Sequence, residues 1–435
     1  MPPHPKYVDQ DRSARRPVHR VDAPVADRIA GRRAGWGFIS LYAAAYAGTW
    51  LALLTPIMVT LALRARQLAP ATSEYWLSLV LAIGALFALV GNPLFGWLSD
   101  RTTSAWGMRR PWLVGGALGG ALSLWLVATA SSMPWMLASW CLAQLSFNAV
   151  LAPLAALLPD HVPAARRGTV AGIISITTPL GQVGGTYLTR VLSGDMTAML
   201  LIPAAVCIVL VLALASALPD RRLGREHAPL AGGVAFLRTF WLRPREAPDF
   251  AWVCAGRFFL ILCMSFLTAY QPFFLMSRLG FPAQAVPDVV FRSTLVQSTA
   301  VVLAGLIAGR LSDLTRRRKP FVIGAALACA AGSWLIAMAP SYEAFLVGIT
   351  LFGIGLGGYL SVDFALVTDV LPNKEDDAAK DLGLFNIASA LPQSIAPAIA
   401  SAILVSAGSY GAVFVVAGIA GLLAALAVIP VRAAR

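Results

Sequence analysis

The sequence predicts an all-α polytopic membrane protein: twelve transmembrane helices in two six-helix bundles, with both termini cytoplasmic. Three observations carry that expectation. The 435-residue chain is 58% apolar and only 13% charged, whereas soluble domains carry about 25% charged residues. The apolar residues gather into runs long enough to cross a bilayer, which takes about 20 residues. The Lys and Arg residues fall almost wholly on one side of those runs. A mean hydropathy of +0.72 agrees.

Residues 1–35 form a basic arm containing Lys6, Arg12, Arg15, Arg16, Arg20, Arg28, Arg32 and Arg33. No apolar stretch precedes Gly35, so the arm reads as a disordered cytoplasmic tail and not as a signal peptide. Contact with anionic headgroups is its alternative role. Six apolar runs follow, at 36–63, 76–98, 112–131, 134–158, 169–192 and 197–218, making an N-terminal bundle over 36–218. Residues 219–249 are polar and read as a cytoplasmic linker. Six further runs, at 250–277, 290–310, 321–339, 345–368, 383–407 and 411–430, make a C-terminal bundle over 250–430. With the N-terminus inside, 28 of the 34 Lys and Arg residues are cytoplasmic and 5 lie outside, namely Arg64, Arg66, Arg190, Arg278 and Arg292. The net charge of +13 is therefore a consequence of topology, and nucleic acid is not an expected partner. Cys141, Cys207, Cys254, Cys263 and Cys329 all lie in apolar runs with no CxxC or Cys/His spacing, which argues against structural zinc and a disulfide framework. No glycine stretch leads into a phosphate-loop Lys-Ser/Thr, so no nucleotide, metal or other cofactor is expected.

The two halves repeat. After the second run the chain reads Gly96-Trp97-Leu98-Ser99-Asp100-Arg101 and ends in Arg109-Arg110-Pro111. After the eighth it reads Gly309-Arg310-Leu311-Ser312-Asp313 and ends in Arg317-Arg318-Lys319-Pro320. A weaker pair is Leu145-Ser146-Phe147-Asn148 with Leu360-Ser361-Val362-Asp363.

The Gly-x-Leu-Ser-Asp-Arg loop with its basic cluster, echoed in the second half, resembles the loop between helices 2 and 3 of the major facilitator superfamily. Its long form, Asp100 to Pro111, and the stretch Asp381-Leu382-Gly383-Leu384-Phe385-Asn386 resemble the glycoside–pentoside–hexuronide cation symporters and the sucrose-carrier-like proteins. Two departures stand out. Met108 occupies a position usually basic in that subgroup, and helices 1, 2 and 4 contain no Asp or Glu, which argues against a melibiose-type sodium site. The resemblance implies a cytoplasmic gate built from Gly96, Asp100, Arg101, Arg109, Arg110, Gly309, Asp313, Arg317 and Arg318. In that gate Asp100 faces the start of helix 11 near Leu382-Gly383, Asp313 faces the start of helix 5 near Arg167-Gly168, and Asp160 accepts from the basic cluster. The plainer reading is a pair of positive-inside loops.

Charges at membrane depth are costly and mark function or a fixed tie. Two are clear: Arg257, eight residues after Asp249, and Asp363, six residues before Asp369. At about 1.5 Å per residue both sit on the order of 10 Å inside the cytoplasmic end, so they can pair. The pair is either a proton-responsive coupling element or a static link between helices 7 and 10. His4, His19, His161 and His227 all lie outside the runs, which excludes a histidine relay. The resemblance implies that helices 1, 4, 7 and 10 line the path, giving Tyr46, Asn148, Tyr270, Gln271 and Tyr359 as candidate substrate contacts. Amides beside rings suit a neutral polyhydroxyl solute; the same groups also serve interhelical hydrogen bonding. The expected function is secondary active transport of a small solute across the cytoplasmic membrane, as proton-coupled symport of a sugar-like compound. The alternatives are a proton-antiport exporter of a lipophilic compound and a membrane-embedded enzyme, for which the runs lack paired acids. Expected partners are the solute, protons and the lipid bilayer, with the chain acting as a monomer.

Overall fold

The computed structural model of the protein describes residues 35–220, 248–315, 317–370 and 378–431. The basic tail, most of the linker, residues 371–377 and the side chains of Asp313 and of 378–387 lie outside the described residues. In chain order the helices are α1 (Trp36–Leu68), α2 (Ser73–Arg101), α3 (Arg110–Ala128), α4 (Met133–His161), α5 in two pieces (Ala164–Ser175 and Thr177–Val191), α6 (Met196–Ala217), α7 (Pro248–Ser277), α8 (Val286–Thr315), α9 (Lys319–Met338), α10 (Tyr342–Val370), α11 (Ala378–Ala407) and α12 (Tyr410–Val428). Several overrun the apolar runs at their polar ends, as α2 does at Ser73 and Arg101. The runs end where charge begins, but helical hydrogen bonds continue into the interface until a breaker or cap stops them.

Among the described residues ten helices are long and apolar enough to cross a membrane. The two that fall short are α5 and α11. Pro179 breaks α5: its ring lacks an N–H and clashes with the carbonyl four residues back, at Ser175, where the first piece ends. Pro392 and Pro397 lie inside α11, whose apolar portion covers only Leu391–Ala407. A fourth proline, Pro56, accompanies a π-turn in α1 at Pro56–Thr60, where the Leu61 N–H bonds back to the Pro56 carbonyl.

The packing repeats as the sequence does. In the first half α2 and α3 lie on α4, and α1 lies on α6; in the second, α8 and α9 lie on α10, and α7 on α12. Small residues permit close approach, as at Gly116 and Gly120 against α4 and at Gly355 and Gly357 against α9 and α8. The halves meet where α2 packs on α11 and α5 on α8. We call the end bearing Gly35 and Val431 proximal, and the opposite end distal.

Candidate functional site

Arg257 and Asp363 do pair. The Arg257 side chain on α7 donates through Nη1 to Asp363 Oδ2 on α10 and through Nε to Ser389 Oγ on α11 at 2.5 Å. The Asp363 side chain is fully buried, and that of Arg257 is 18% exposed. Asp363 Oδ1 and Tyr359 Oη, one turn earlier on α10, are both buried without a hydrogen-bond partner among the described residues. Gly256, beside Arg257, lets the Tyr359 hydroxyl come close to α7, at 3.7 Å from where a Cβ would stand. A buried carboxylate satisfied on one oxygen only, against one cation, is chemically poised: a proton on Asp363 would remove the attraction that joins α7 to α10.

The other candidate contacts are buried and already bonded. Asn148 Oδ1 accepts from Asn92 Nδ2 of α2 at 3.1 Å, and Asn148 Nδ2 donates to the Gln144 carbonyl at 2.8 Å. Gln271 Nε2 donates to Ser293 Oγ of α8 at 2.5 Å. Tyr46 meets Tyr42 edge to face with ring centroids 5.4 Å apart. Tyr270 shares a 2.5 Å hydrogen bond with Ser78 of α2 and donates to the Pro397 carbonyl of α11 at 3.2 Å. Tyr270 is thus a distal link between the halves. Arg190 of α5 adds a second link, paired with Asp288 of α8 at 2.6 Å, with Tyr187 against Phe291 beside it.

At the proximal end the loop motif is built within the first half. Arg109 is buried and joins Asp100 at 2.6 Å, Asp160 at 3.1 Å and Ser99 Oγ at 2.5 Å. Asp160 is the acceptor that the sequence suggested, but it belongs to α4 of the same half. Asp100 pairs with Arg109; the helix 11 residues Leu382 and Gly383 expected opposite it, and the partner gate residue Asp313, lie outside the described side chains. Arg101 lies over the Trp97 ring at 4.4 Å. Among the described residues, Cβ atoms placed at Gly96, Gly168 or Gly172 would meet nothing within 4 Å, and at Gly309 only Ser361 of its own half. Arg110 donates to the Leu218 carbonyl, and Arg317 and Arg318 precede α9.

Several contributors escaped the sequence reading. Asp220, placed in the linker by its polarity, accepts the backbone N–H groups of Arg109 and Arg110 at 2.8 and 2.9 Å and so caps α3, which has no side-chain cap of its own. Gly107 makes room for it: its φ is +109°, and a Cβ there would collide with the Asp220 carboxylate. Ser78, Asn92, Ser293 and Ser389 were unsingled because one small polar residue in an apolar run gives no signal of its partner.

The Major Facilitator Superfamily profile matches residues 36–296 and 292–435. An uncharacterized symporter of Synechocystis sp. is 37% identical over 93 residues, 19% of this chain and 17% of that protein. A sucrose transport protein of Arabidopsis thaliana is 28% identical over 185 residues, 38% of this chain and 32% of that one. The multidrug resistance protein MdtL of Salmonella paratyphi C is 32% identical over 151 residues, 34% and 38% of the two chains. The matches thus span well under half of the length of these relatives. Among solved structures, a D-xylose–proton symporter aligns with a TM-score of 0.68 at 17% identity over 91% of this chain and 98% of that one. A bacterial homolog to the human lysosomal transporter Spinster, inward-facing and occupied, gives a TM-score of 0.63 at 17% identity, covering 90% and 93%. At such identity these two structures speak to the fold alone.

Proposed function

The chain belongs to the major facilitator superfamily, and on that premise we propose that it is a secondary active transporter moving a small solute across the cytoplasmic membrane by alternating access. The membrane domain is a twelve-span unit, with α5 and α11 as proline-broken spans, a 36–218 and a 250–430 bundle, and both termini cytoplasmic. The proximal end is then the cytoplasmic one, in keeping with the Lys and Arg bias. The distal links Ser78–Tyr270 and Arg190–Asp288, with unpacked glycines at 168 and 172, support an inward-facing arrangement. Asp100, Arg109 and Asp160 form a preassembled half of a gate that would engage the second half when the cytoplasmic side closes.

The observation that carries the coupling assignment is the fully buried Asp363 held by Arg257. Proton entry on Asp363 would free Arg257 and loosen α7 from α10, linking protonation to the movement of path helices. The path offers neutral amides and rings, with Asn92 the exposed amide of the Asn92–Asn148 pair. That chemistry suits a sugar-like solute taken up with protons, the reading to which the sucrose transport relative adds support. Expulsion of a lipophilic compound is the second reading, favoured by the MdtL segment. Proteoliposomes loaded and assayed with panels of sugars and lipophilic cations, with and without a proton gradient, separate the two. For the solute found, Asp363→Asn should abolish gradient-driven accumulation and keep solute exchange. Accumulation at the wild-type level would exclude coupling through Asp363.

A further inference from the structure

The second half carries an apolar groove. Helices α8 and α9 both pack on α10 and leave between them a cavity of about 890 Å³. Leu303, Ile307, Ala308 and Leu311 of α8, Phe321 of α9 and Ile354 of α10 are among its walls. Its only polar side chains, Thr299 and Thr350, donate their hydroxyls to the Leu295 and Leu346 carbonyls of their own helices. The wall therefore offers nothing to a polar solute, and the groove is not a site for a sugar-like solute. Leu303, Ile307 and Ile354 are also exposed, so it opens sideways, toward lipid in a membrane-spanning chain.

The internal repeat explains the groove. Matching Gly96 to Gly309 sets Phe95 against Ala308, and matching Pro111 to Pro320 sets Trp112 against Phe321. In the first half the Phe95 and Trp112 rings meet, with centroids 5.4 Å apart, and fill the space between α2 and α3. In the second half Ala308 has no ring to offer, and Phe321 borders open space.

The groove's proximal mouth, at Leu311 and Pro320, lies in the most basic short loop of the bundle: Arg310, Arg316, Arg317, Arg318 and Lys319 against Asp313. Arg310 and Arg317 are exposed, whereas Lys319 is held by the Ile429 and Val431 carbonyls after α12. From Leu295 to Leu311 the α8 wall runs ~24 Å at 1.5 Å per residue, which accommodates an acyl chain reaching from one headgroup layer past the middle of a ~30 Å hydrocarbon core. The geometry points to a binding site for an anionic phospholipid, with an acyl chain in the α8–α9 groove and its phosphate at Arg310 and Arg317.

The site is tested by lipid retention, which needs no solute and stands apart from the transport reading. The purified full chain is offered equimolar phosphatidylglycerol and phosphatidylcholine with identical chains, and retained lipid is counted by native mass spectrometry. A basic residue near an anionic surface contributes about 1 kcal/mol, or about fivefold, so the wild type should prefer phosphatidylglycerol by roughly tenfold or more. Joint Arg310→Gln and Arg317→Gln should bring the preference near unity and leave phosphatidylcholine retention intact. Ala308→Phe, which restores the ring of the first half, should cut retention of both lipids; Ala304→Leu fills the same groove should the first variant fail to fold. Equal retention of the two lipids by the wild type overturns the assignment. Wild-type retention in the filled variant, or an undiminished preference in the arginine variants, does so too.

Discussion

Removing both members of the Arg257–Asp363 pair should destabilise the protein by clearly less than the sum of the two single removals. The two single changes are not equivalent. Arg257→Gln removes the cationic partner of a carboxylate that is 0% exposed. Asp363→Asn leaves a guanidinium that is 18% exposed and still bonded to Ser389. Breaking a buried pair from one side costs about 3–5 kcal/mol because a charge remains uncompensated. Asp363→Asn therefore belongs near the lower figure and Arg257→Gln near the upper. The double variant leaves no charge behind, so its cost should fall short of the sum by about 2–3 kcal/mol, the range of directly coupled neighbours. That shortfall is about a hundredfold in the unfolding constant. Equilibrium unfolding in mixed dodecyl sulfate micelles, followed by the fluorescence of the 12 tryptophans, reads all four variants. Additivity within about 0.5 kcal/mol would refute the reasoning, since distant, independent sites behave that way.

Three further outcomes follow from the gate ends. Asp220→Ala removes the acceptor for two α3 N–H groups and should cost about 1–2 kcal/mol, with Asp220→Asn much milder, in the same unfolding assay. Gly107→Ala meets both a φ of +109° and the Asp220 carboxylate, so it should destabilise by at least ~1 kcal/mol, and Asp220→Ala in the same chain should relieve part of that. Gly172→Cys should label with a water-soluble maleimide from the cytoplasmic face of vesicles, over a low background because all five native cysteines are buried. Absence of labelling would count against the inward-facing arrangement.

The sequence was most legible where chemistry is local. Twelve apolar runs, the Lys and Arg bias and the Gly-x-Leu-Ser-Asp repeat are written in consecutive residues, and the helices follow the runs to within a turn or two. Arg257 and Asp363 were also legible, because a charge in an apolar run needs a partner and only one other was at hand at that depth. Partners drawn from distant helices were not. Tyr270 reads as a path residue from its position on α7, yet its hydroxyl is shared by Ser78 and the Pro397 carbonyl, groups 192 and 127 residues away. Asp100 has two attractive neighbours, the start of a facing helix and the arginine of its own loop. Proximity in the loop favours Arg109.

The strengths of these contacts fit a molecule that must change shape. The distal links are weak: one hydroxyl–hydroxyl bond, worth about 1 kcal/mol net, and an Arg190–Asp288 pair with side chains 43% and 34% exposed, worth at most about 1 kcal/mol and screened by salt. Together these two polar links add about 2 kcal/mol to the helix packing that joins the halves there, whereas a solute bound at millimolar affinity supplies about 4 kcal/mol. Binding that favours the other state by half of that energy is enough to offset these two links. In the buried pair, leaving one charge without its partner costs about 3–5 kcal/mol, so separating the two without neutralising one is costly. On the proposed coupling role, protonation of Asp363 would release it. Arg190→Gln should accordingly raise maleimide labelling at distal cysteines, with the difference from wild type shrinking as salt rises, because the wild-type pair is itself screened. The Arg257–Asp363 coupling should be nearly indifferent to salt, since ions do not reach a carboxylate at 0% exposure. An equal salt response at both places would mean that Asp363 is hydrated and that the pair cannot hold a proton-controlled tie.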